Sequence, residues 1–379
     1  MSKRRVVLYS PDRGQVYDGR TLDARGVGGG ITARLSMLAA LAAEGHEVTA
    51  FVNTAEPVTH AGVRYIPLDQ LDRIETEIFV AMSTGGAHSF SPLRGVPVNA
   101  GLRIVWVQGA RQPVDIGVVR PDFVYVASNF LRRVCVERWG VPASQIFVCY
   151  NGVKQDAFAE AEARGVVRDP FAIAYIGPPE KGLAASLEVL RRLRAADPRF
   201  RLDIFGGGRL WGRTDEAPAP EPGLTFHGML GQAALVPRLF EYEYLLAPQG
   251  MEEGFGIGLQ EAKRAGMIAI ASEIGAFPEL VRDQQDGFLV AEPHDTPACH
   301  DRMARLILEL HRDPDRRARV RANALQTPWS WTTSARTWTS HWDHVLGDRP
   351  AAVVGGMLEL PDGRHDEATG EFIPAAGNS

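Results

Sequence analysis

Met251-Glu252-Glu253-Gly254-Phe255-Gly256-Ile257-Gly258-Leu259-Gln260-Glu261-Ala262-Lys263-Arg264-Ala265-Gly266 stands between two apolar runs, Tyr244-Leu245-Leu246-Ala247 before it and Met267 to Ala271 after it. Pro248 and Gly250 break the first run, a helical pattern follows the glycines, and Gly266 stops that helix behind Lys263 and Arg264. Two apolar runs of strand length joined by a loop and a helix make a β-α-β unit, whose strands are parallel and buried.

Gly254 and Gly256 fall where the loop becomes the helix. Several backbone N–H groups point outward there with no Cβ in the way, and the positive end of the helix dipole adds to them, so a phosphate fits. Glu253 precedes the turn and Glu261 follows about two helical turns later, which lets one carboxylate face each end of a bound ligand. The competing reading is a pair of solvated helix charges; the glycines, Phe255 and the flanking strands weigh against it.

Glu-x7-Glu with Gly-Phe-Gly behind the first Glu, followed by Glu-Ala-x-x-Ala-Gly, resembles the signature of retaining glycosyltransferases with the GT-B fold, especially glycosyltransferase family 4. The similarity continues through Ser272-Glu273-Ile274-Gly275-Ala276-Phe277-Pro278-Glu279-Leu280-Val281 and Asp286-Gly287-Phe288-Leu289-Val290. A weaker resemblance extends over most of residues 1–346 and stops there. It implies an α/β chain of GT-B architecture: two doubly wound Rossmann-like domains facing across a cleft, with a C-terminal helix crossing back to the first.

Composition agrees with two ordinary domains: 379 residues, 45% hydrophobic and 23% charged. Lys and Arg number 41 against 46 Asp and Glu, which carries no signal for nucleic acid. Up to residue 160 the balance is 17 basic against 15 acidic, so the N-terminal half is near neutral. That weakens, without removing, a lipid acceptor at an anionic membrane and peripheral membrane contact. Cys135, Cys149 and Cys299 lack metal-ligand spacing, and a reducing cytoplasm is expected. The apolar run Val6 to Tyr9 is too short for a signal peptide or a membrane span and reads as a first buried strand.

The first half alternates strand-like runs with helical patterns: Val6–Tyr9, the helix near Leu35–Ala43, Val48–Val52, Ile78–Met82, Ile104–Val107, Phe123–Ala127 and Ile146–Cys149. Gly28, Gly29 and Gly30 open the helix that stops at Gly45. A dinucleotide fingerprint is a poor reading of them, because the loop does not follow a strand directly and no acidic residue ends Val48–Val52. The resemblance places this loop near the donor phosphates or the acceptor. Ser83 to His88 and Gln108 to Arg111 follow strands and point to the expected cleft. Relatives carry a functional histidine at a position similar to Gln108; His88 is a candidate substitute, against the plainer reading of a surface loop histidine. Ser128 is expected to cap the helix it precedes.

Asn151-Gly152-Val153 resembles the crossing to the second domain. The expected limits are 1–160 for the acceptor-side domain, with 328–346 packing back on it, 161–327 for the nucleotide-sugar domain, and 347–379 for a tail of little order, rich in Gly, Pro and charge. The second alternation runs through Ala172–Ile176, Leu202–Phe205, Leu224–Phe226, Tyr244–Ala247, Met267–Ala271 and Phe288–Val290. In Gly177-Pro178-Pro179-Glu180-Lys181-Gly182, Lys181 matches a family lysine set against the donor diphosphate, and the accompanying Arg is absent. Phe226-His227-Gly228 resembles the turn beside the nucleotide base, with backbone groups as the contacts and no proton-transfer role for His227. Asp313-Pro314-Asp315 reads as a helix cap, and Trp329, Trp331, Trp338 and Trp342 as packing residues.

By this resemblance the chain is a retaining hexosyltransferase. Glu253 and Lys181 are its candidate catalytic residues, and Gly28, Gly29, Gly30, Gln108, Gly228, Gly254, Phe255, Gly256 and Glu261 its candidate substrate-binding residues. The donor is a nucleoside diphosphate sugar and the acceptor a small molecule, glycan or lipid-linked hydroxyl; no metal, other cofactor, nucleic acid or transmembrane segment is expected. The rivals are a non-catalytic nucleotide-sugar-binding homologue or partner subunit, a sugar-nucleotide epimerase on the same fold, and a glycosidase, whose paired carboxylates would flank a glycosidic bond instead of a phosphate loop.

Overall fold

The computed structural model describes residues 2–83, 89–208, 217–326 and 329–375, and these gather into two compact units. The first holds residues 2–22, 30–152 and 329–375; the second holds 23–29 and 153–326.

The first unit is built on eight strands: β1 (Arg5–Tyr9), β2 (Glu47–Val52), β3 (Val58–His60), β4 (Val63–Pro67), β5 (Ile74–Ser83), β6 (Val98–Val107), β7 (Phe123–Val126) and β8 (Ile146–Val148). They lie in the order β3-β4-β2-β1-β5-β6-β7-β8, all parallel except the β3–β4 hairpin at one edge. Val6 pairs Val48 on one side and Ile78 on the other, so three apolar strands lock in register at the centre. The helix Gly29–Ala43 covers this sheet with Leu35, Leu38 and Leu41, and Ser128 caps Asn129–Glu137 by accepting from the Leu131 N–H at 3.1 Å. The helix Trp331–Val345 belongs to the same unit: Trp338 sits edge-on to Trp106 and Tyr125 at centroid distances of 4.8 and 5.0 Å.

The expectation of little order over 347–379 is corrected for the residues up to 375. Strands β15 (Val353–Val354), β16 (Met357–Leu360), β17 (Gly363–His365) and β18 (Phe372–Pro374) form an antiparallel sheet in sequential order. Leu358 and Leu360 alternate onto one buried side, and His365 stacks on Phe147 at 4.7 Å. Asn129 fastens β18 twice, donating to the Phe372 carbonyl at 2.8 Å and accepting from its N–H at 3.1 Å. The glycines that suggested disorder are turn residues here, Gly355 and Gly356 joining β15 to β16.

The second unit carries β9 (Asp169–Ile176), β10 (Arg201–Phe205), β11 (Leu224–Gly228), β12 (Tyr242–Ala247), β13 (Ile268–Ser272) and β14 (Gly287–Val290). Their order, β11-β10-β9-β12-β13-β14, is fully parallel and reverses direction between β9 and β12. In such sheets the crevice for ligands opens beyond the carboxyl ends of the two strands at that reversal. The core beneath it joins Ile173, Leu202, Tyr244, Ile270 and Phe288 to Val189, Leu193 and Ile307 of the covering helices.

Candidate active site

Both strands at the reversal end in loops that hold each other. After β9 the chain turns at Gly177, whose N–H donates to Phe205 O at 2.9 Å, and the Tyr175 hydroxyl donates to Pro178 O at 2.6 Å. Lys181 ends the short helical turn Pro179–Lys181, and Gly182 follows with φ +126°. A Cβ on Gly182 would lie 1.6 Å from Pro248 O, so only glycine lets this loop close onto the one that leaves β12.

The β12 loop carries Gln249 and Glu253. Gln249 is anchored by its N–H to Ser272 Oγ at 3.0 Å, and Glu253 by its carbonyl, which accepts from Ala276 N–H at 2.9 Å. Glu253 Oε2 lies 2.5 Å from Lys181 Nζ and 3.5 Å from Gln249 Nε2. Side chains from two loops therefore converge on one carboxylate. Gln249 is buried and its Oε1 has no hydrogen-bond partner among the described residues, which adds to the site a polar group that no motif marks.

Gly254 and Phe255 lead to Gly256, the residue before the helix Ile257–Arg264, at φ +107°. Its missing side chain leaves room for Phe277, whose ring edge would stand 2.7 Å from a Cβ. Phe255 is buried, and the helix begins at the carboxyl end of β12, the end of the sheet where a helix N-terminus can receive an anion. At the other end of the helix Lys263 turns inward, to Asp286 at 3.0 Å and to Leu280 O at 2.5 Å.

Glu261 is not a solvated helix charge. It is 6% exposed, one turn beyond the buried Ile257, and its Oε1 accepts from Gln232 Nε2 at 2.8 Å. Burial pushes its carboxyl up to about 7, against the opposite pull of the Gln232 amide.

Gly228 ends β11 at φ +66°, and its carbonyl accepts from Gly206 N–H at 2.9 Å. His227 is held as a structural group: it faces Asp203 at 3.2 Å and Arg238 at 3.0 Å and stacks on Phe205 at 4.8 Å. Gly28 and Gly29 group with this second unit, where Gly26 lies against Met229 and Gly231 against Asp23 O, whereas Gly30 groups with the first. Gln108, after β6 in the first unit, is locked to Asn151 by two amide hydrogen bonds of 3.2 and 2.7 Å. His88 and its neighbours Thr84 to Ala87 lie outside the described residues. Asp313 caps the helix Pro314–Ala324 by accepting from Arg316 N–H at 2.9 Å. Among the described residues no three His, Cys, Asp or Glu side chains are grouped as a metal site would require.

The fold is that of the GT-B glycosyltransferases. Within it, residues 167–327 match the family described as Glycosyl transferases group 1. A stretch of 190 residues is 30% identical to the phosphatidyl-myo-inositol mannosyltransferase of Mycobacterium tuberculosis, covering 48% of this chain and 50% of that protein. The chain thus matches about half the length of that relative. The solved sucrose-phosphate synthase from Thermosynechococcus elongatus superposes with a TM-score of 0.65 at 18% identity, over 91% of this chain and 100% of the other. Anabaena HepE in complex with UDP-glucose gives 0.62, also at 18% identity and over 91% and 100% of the two chains.

Proposed function

We propose that the protein is a retaining glycosyltransferase that moves a hexose from a nucleoside diphosphate sugar to an acceptor hydroxyl. The observation that carries this reading is the convergence of Lys181 and Glu253 beside the glycine turn at the sheet's reversal point, a cation and a carboxylate at the mouth of an anion-binding helix. The mannosyltransferase relative and the neighbour solved with UDP-glucose support a hexosyl donor.

In this reading the diphosphate lies against the Gly254–Gly256 turn and Glu261 receives ribose hydroxyls. Glu253 and the Phe255 and Gly256 backbone hold the sugar, Gly228 borders the base, and Gly28 to Gly30 approach the substrates. As the bond between the anomeric carbon and the phosphate oxygen breaks, negative charge grows on that oxygen, and Lys181 with the helix N–H groups stabilises it. The acceptor oxygen attacks from the face the phosphate leaves, and the departing phosphate takes its proton. No protein base is needed, in keeping with Gln108 where relatives carry histidine.

The test is release of nucleoside diphosphate from a panel of UDP-, GDP- and ADP-hexoses, read as slow hydrolysis without acceptor. Turnover of one donor is expected. Binding with no turnover under any acceptor would favour a non-catalytic nucleotide-sugar binder, the second reading, which the missing loop Arg favours. Neither binding nor turnover would overturn the assignment.

A further inference from the structure

Gln232 is the first residue of the helix Gln232–Leu239, behind Gly231, and it reaches across to Glu261 on a different helix. The contact is 2.8 Å and both side chains are more than nine-tenths buried. An ionised carboxylate taken out of water is costly unless a cation or several hydrogen bonds meet it, and here one neutral amide is all that meets it among the described residues. Five neighbouring cations are engaged elsewhere. Arg238 of the Gln232 helix faces His227; Lys263 pairs with Asp286; Arg264 is bound to Gln155 and Glu162; Arg317 and Arg321, from the helix packed behind, both meet Glu243 of β12. The second carboxylate oxygen of Glu261 accepts no hydrogen bond from the described residues.

The geometry points to Gln232 as a positioning residue that aims the free oxygen of Glu261 at a ribose hydroxyl and makes ribose capture depend on pH. By occupying Oε1, the amide fixes the carboxylate plane and leaves Oε2 to the ligand. A charged acceptor binds a hydroxyl about twice as strongly as a neutral one, so ribose recognition is strong with Glu261 ionised and weak with it protonated. Since burial holds the carboxyl near 7, the change falls in the physiological range and affinity rises with pH. This rests on the donor-site reading above and adds to it a second residue and a proton.

The experiment compares UDP and GDP with their 2′-deoxy forms by calorimetry from pH 5.5 to 8.5. The phosphates titrate alike in each pair, so the ribo-over-deoxy preference isolates the Glu261 contact. In the wild type that preference should be about tenfold larger at pH 8 than at pH 6. Gln232→Met, which keeps the volume and loses the donor, should move the midpoint upward, and Glu261→Gln should flatten the profile. If neither nucleotide binds, the donor site itself is misread and this inference falls with it. Equal binding of ribo and deoxy forms at pH 8 would remove Glu261 from the ribose. A ribo preference that is flat with pH, or a Gln232→Met midpoint equal to the wild type's, would overturn the role of Gln232 alone.

Discussion

Lys181 Nζ lies 2.5 Å from Glu253 Oε2, an ion pair that ties the loop after β9 to the loop after β12. Its two ends are the groups assigned to the leaving phosphate and to the sugar, so the bond that breaks would lie beside both. Lys181→Ala should therefore lower kcat far more than it weakens donor binding, by about a hundredfold or more, because the charge it meets is largest in the transition state. Steady-state kinetics alongside donor affinity decide this. A raised KM at unchanged kcat would assign Lys181 to ground-state binding only.

Glu261 predicts a conflict between stability and ligand binding. Its carboxyl is raised from about 4.5 to about 7 by burial, so the fold favours the protonated form. The stability this contributes is whole below about pH 4.5 and is lost as pH rises through about 7. Glu261→Gln should accordingly be more stable than the wild type at pH 8, by up to about 3 kcal/mol, with the gain shrinking toward pH 5. Its nucleoside diphosphate affinity should fall by roughly 1 to 3 kcal/mol. Urea unfolding at the two pH values, with calorimetric binding on the same samples, checks both halves.

Gly182 and Gly29 should separate cleanly. Alanine at Gly182 would meet Pro248 O at φ +126°, so Gly182→Ala should cost several kcal/mol, on the order of 3, and displace Lys181. Among the described residues nothing lies within 4 Å of where a Cβ on Gly29 would stand. Gly29→Ala should leave the melting temperature essentially unchanged.

The C-terminal sheet makes its own prediction. Leu358 is 1% exposed, so Leu358→Ala should destabilise the first unit by about 2 to 4 kcal/mol. Wild-type unfolding of that variant would show the tail to be unpacked in solution.

Stereochemistry tests the proposed reaction as a whole. If Glu253 and the Gly254–Gly256 turn hold the sugar and phosphate so that the acceptor attacks from the leaving group's face, the product should keep the donor's anomeric configuration; if Lys181 and the helix N–H groups neutralise the diphosphate, it should form equally well in EDTA. NMR of the product's anomeric centre, with and without chelator, reports both. An inverted centre, or activity lost to EDTA and restored by magnesium or manganese, would displace this mechanism.

The site was readable where it is local and hidden where it is assembled from afar. Gly254, Gly256 and Gly266 announce the helix and its start in sixteen consecutive residues, and the parallel sheet follows from alternating apolar runs. Gln249 and Gln232 have no such signal: an amide beside a strand end or at a helix start is ordinary until its partner, Glu253 or Glu261, is brought to it by the fold. The burial of Glu261 did leave a trace, since it stands four residues after Ile257 and so shares its inward face. The β3–β4 hairpin escaped notice because Val58–His60 is too short to show a period, and the C-terminal sheet because turn glycines and surface charge dominate its composition.

The helix Trp331–Val345 and the sheet behind it have a consequence for how the chain is made. The second unit is nearly continuous, from residue 153 to 326, whereas the first needs residues 329–375 to cover Trp106 and Phe147. A ribosome moving at roughly 5 to 20 residues per second delivers the first unit's β1 to β8 early and its closing helix and C-terminal sheet last. Those strands must wait, with one face unsealed, while the whole second unit emerges and folds. The half that starts first therefore finishes last, and its unsealed face is where a chaperone would find work.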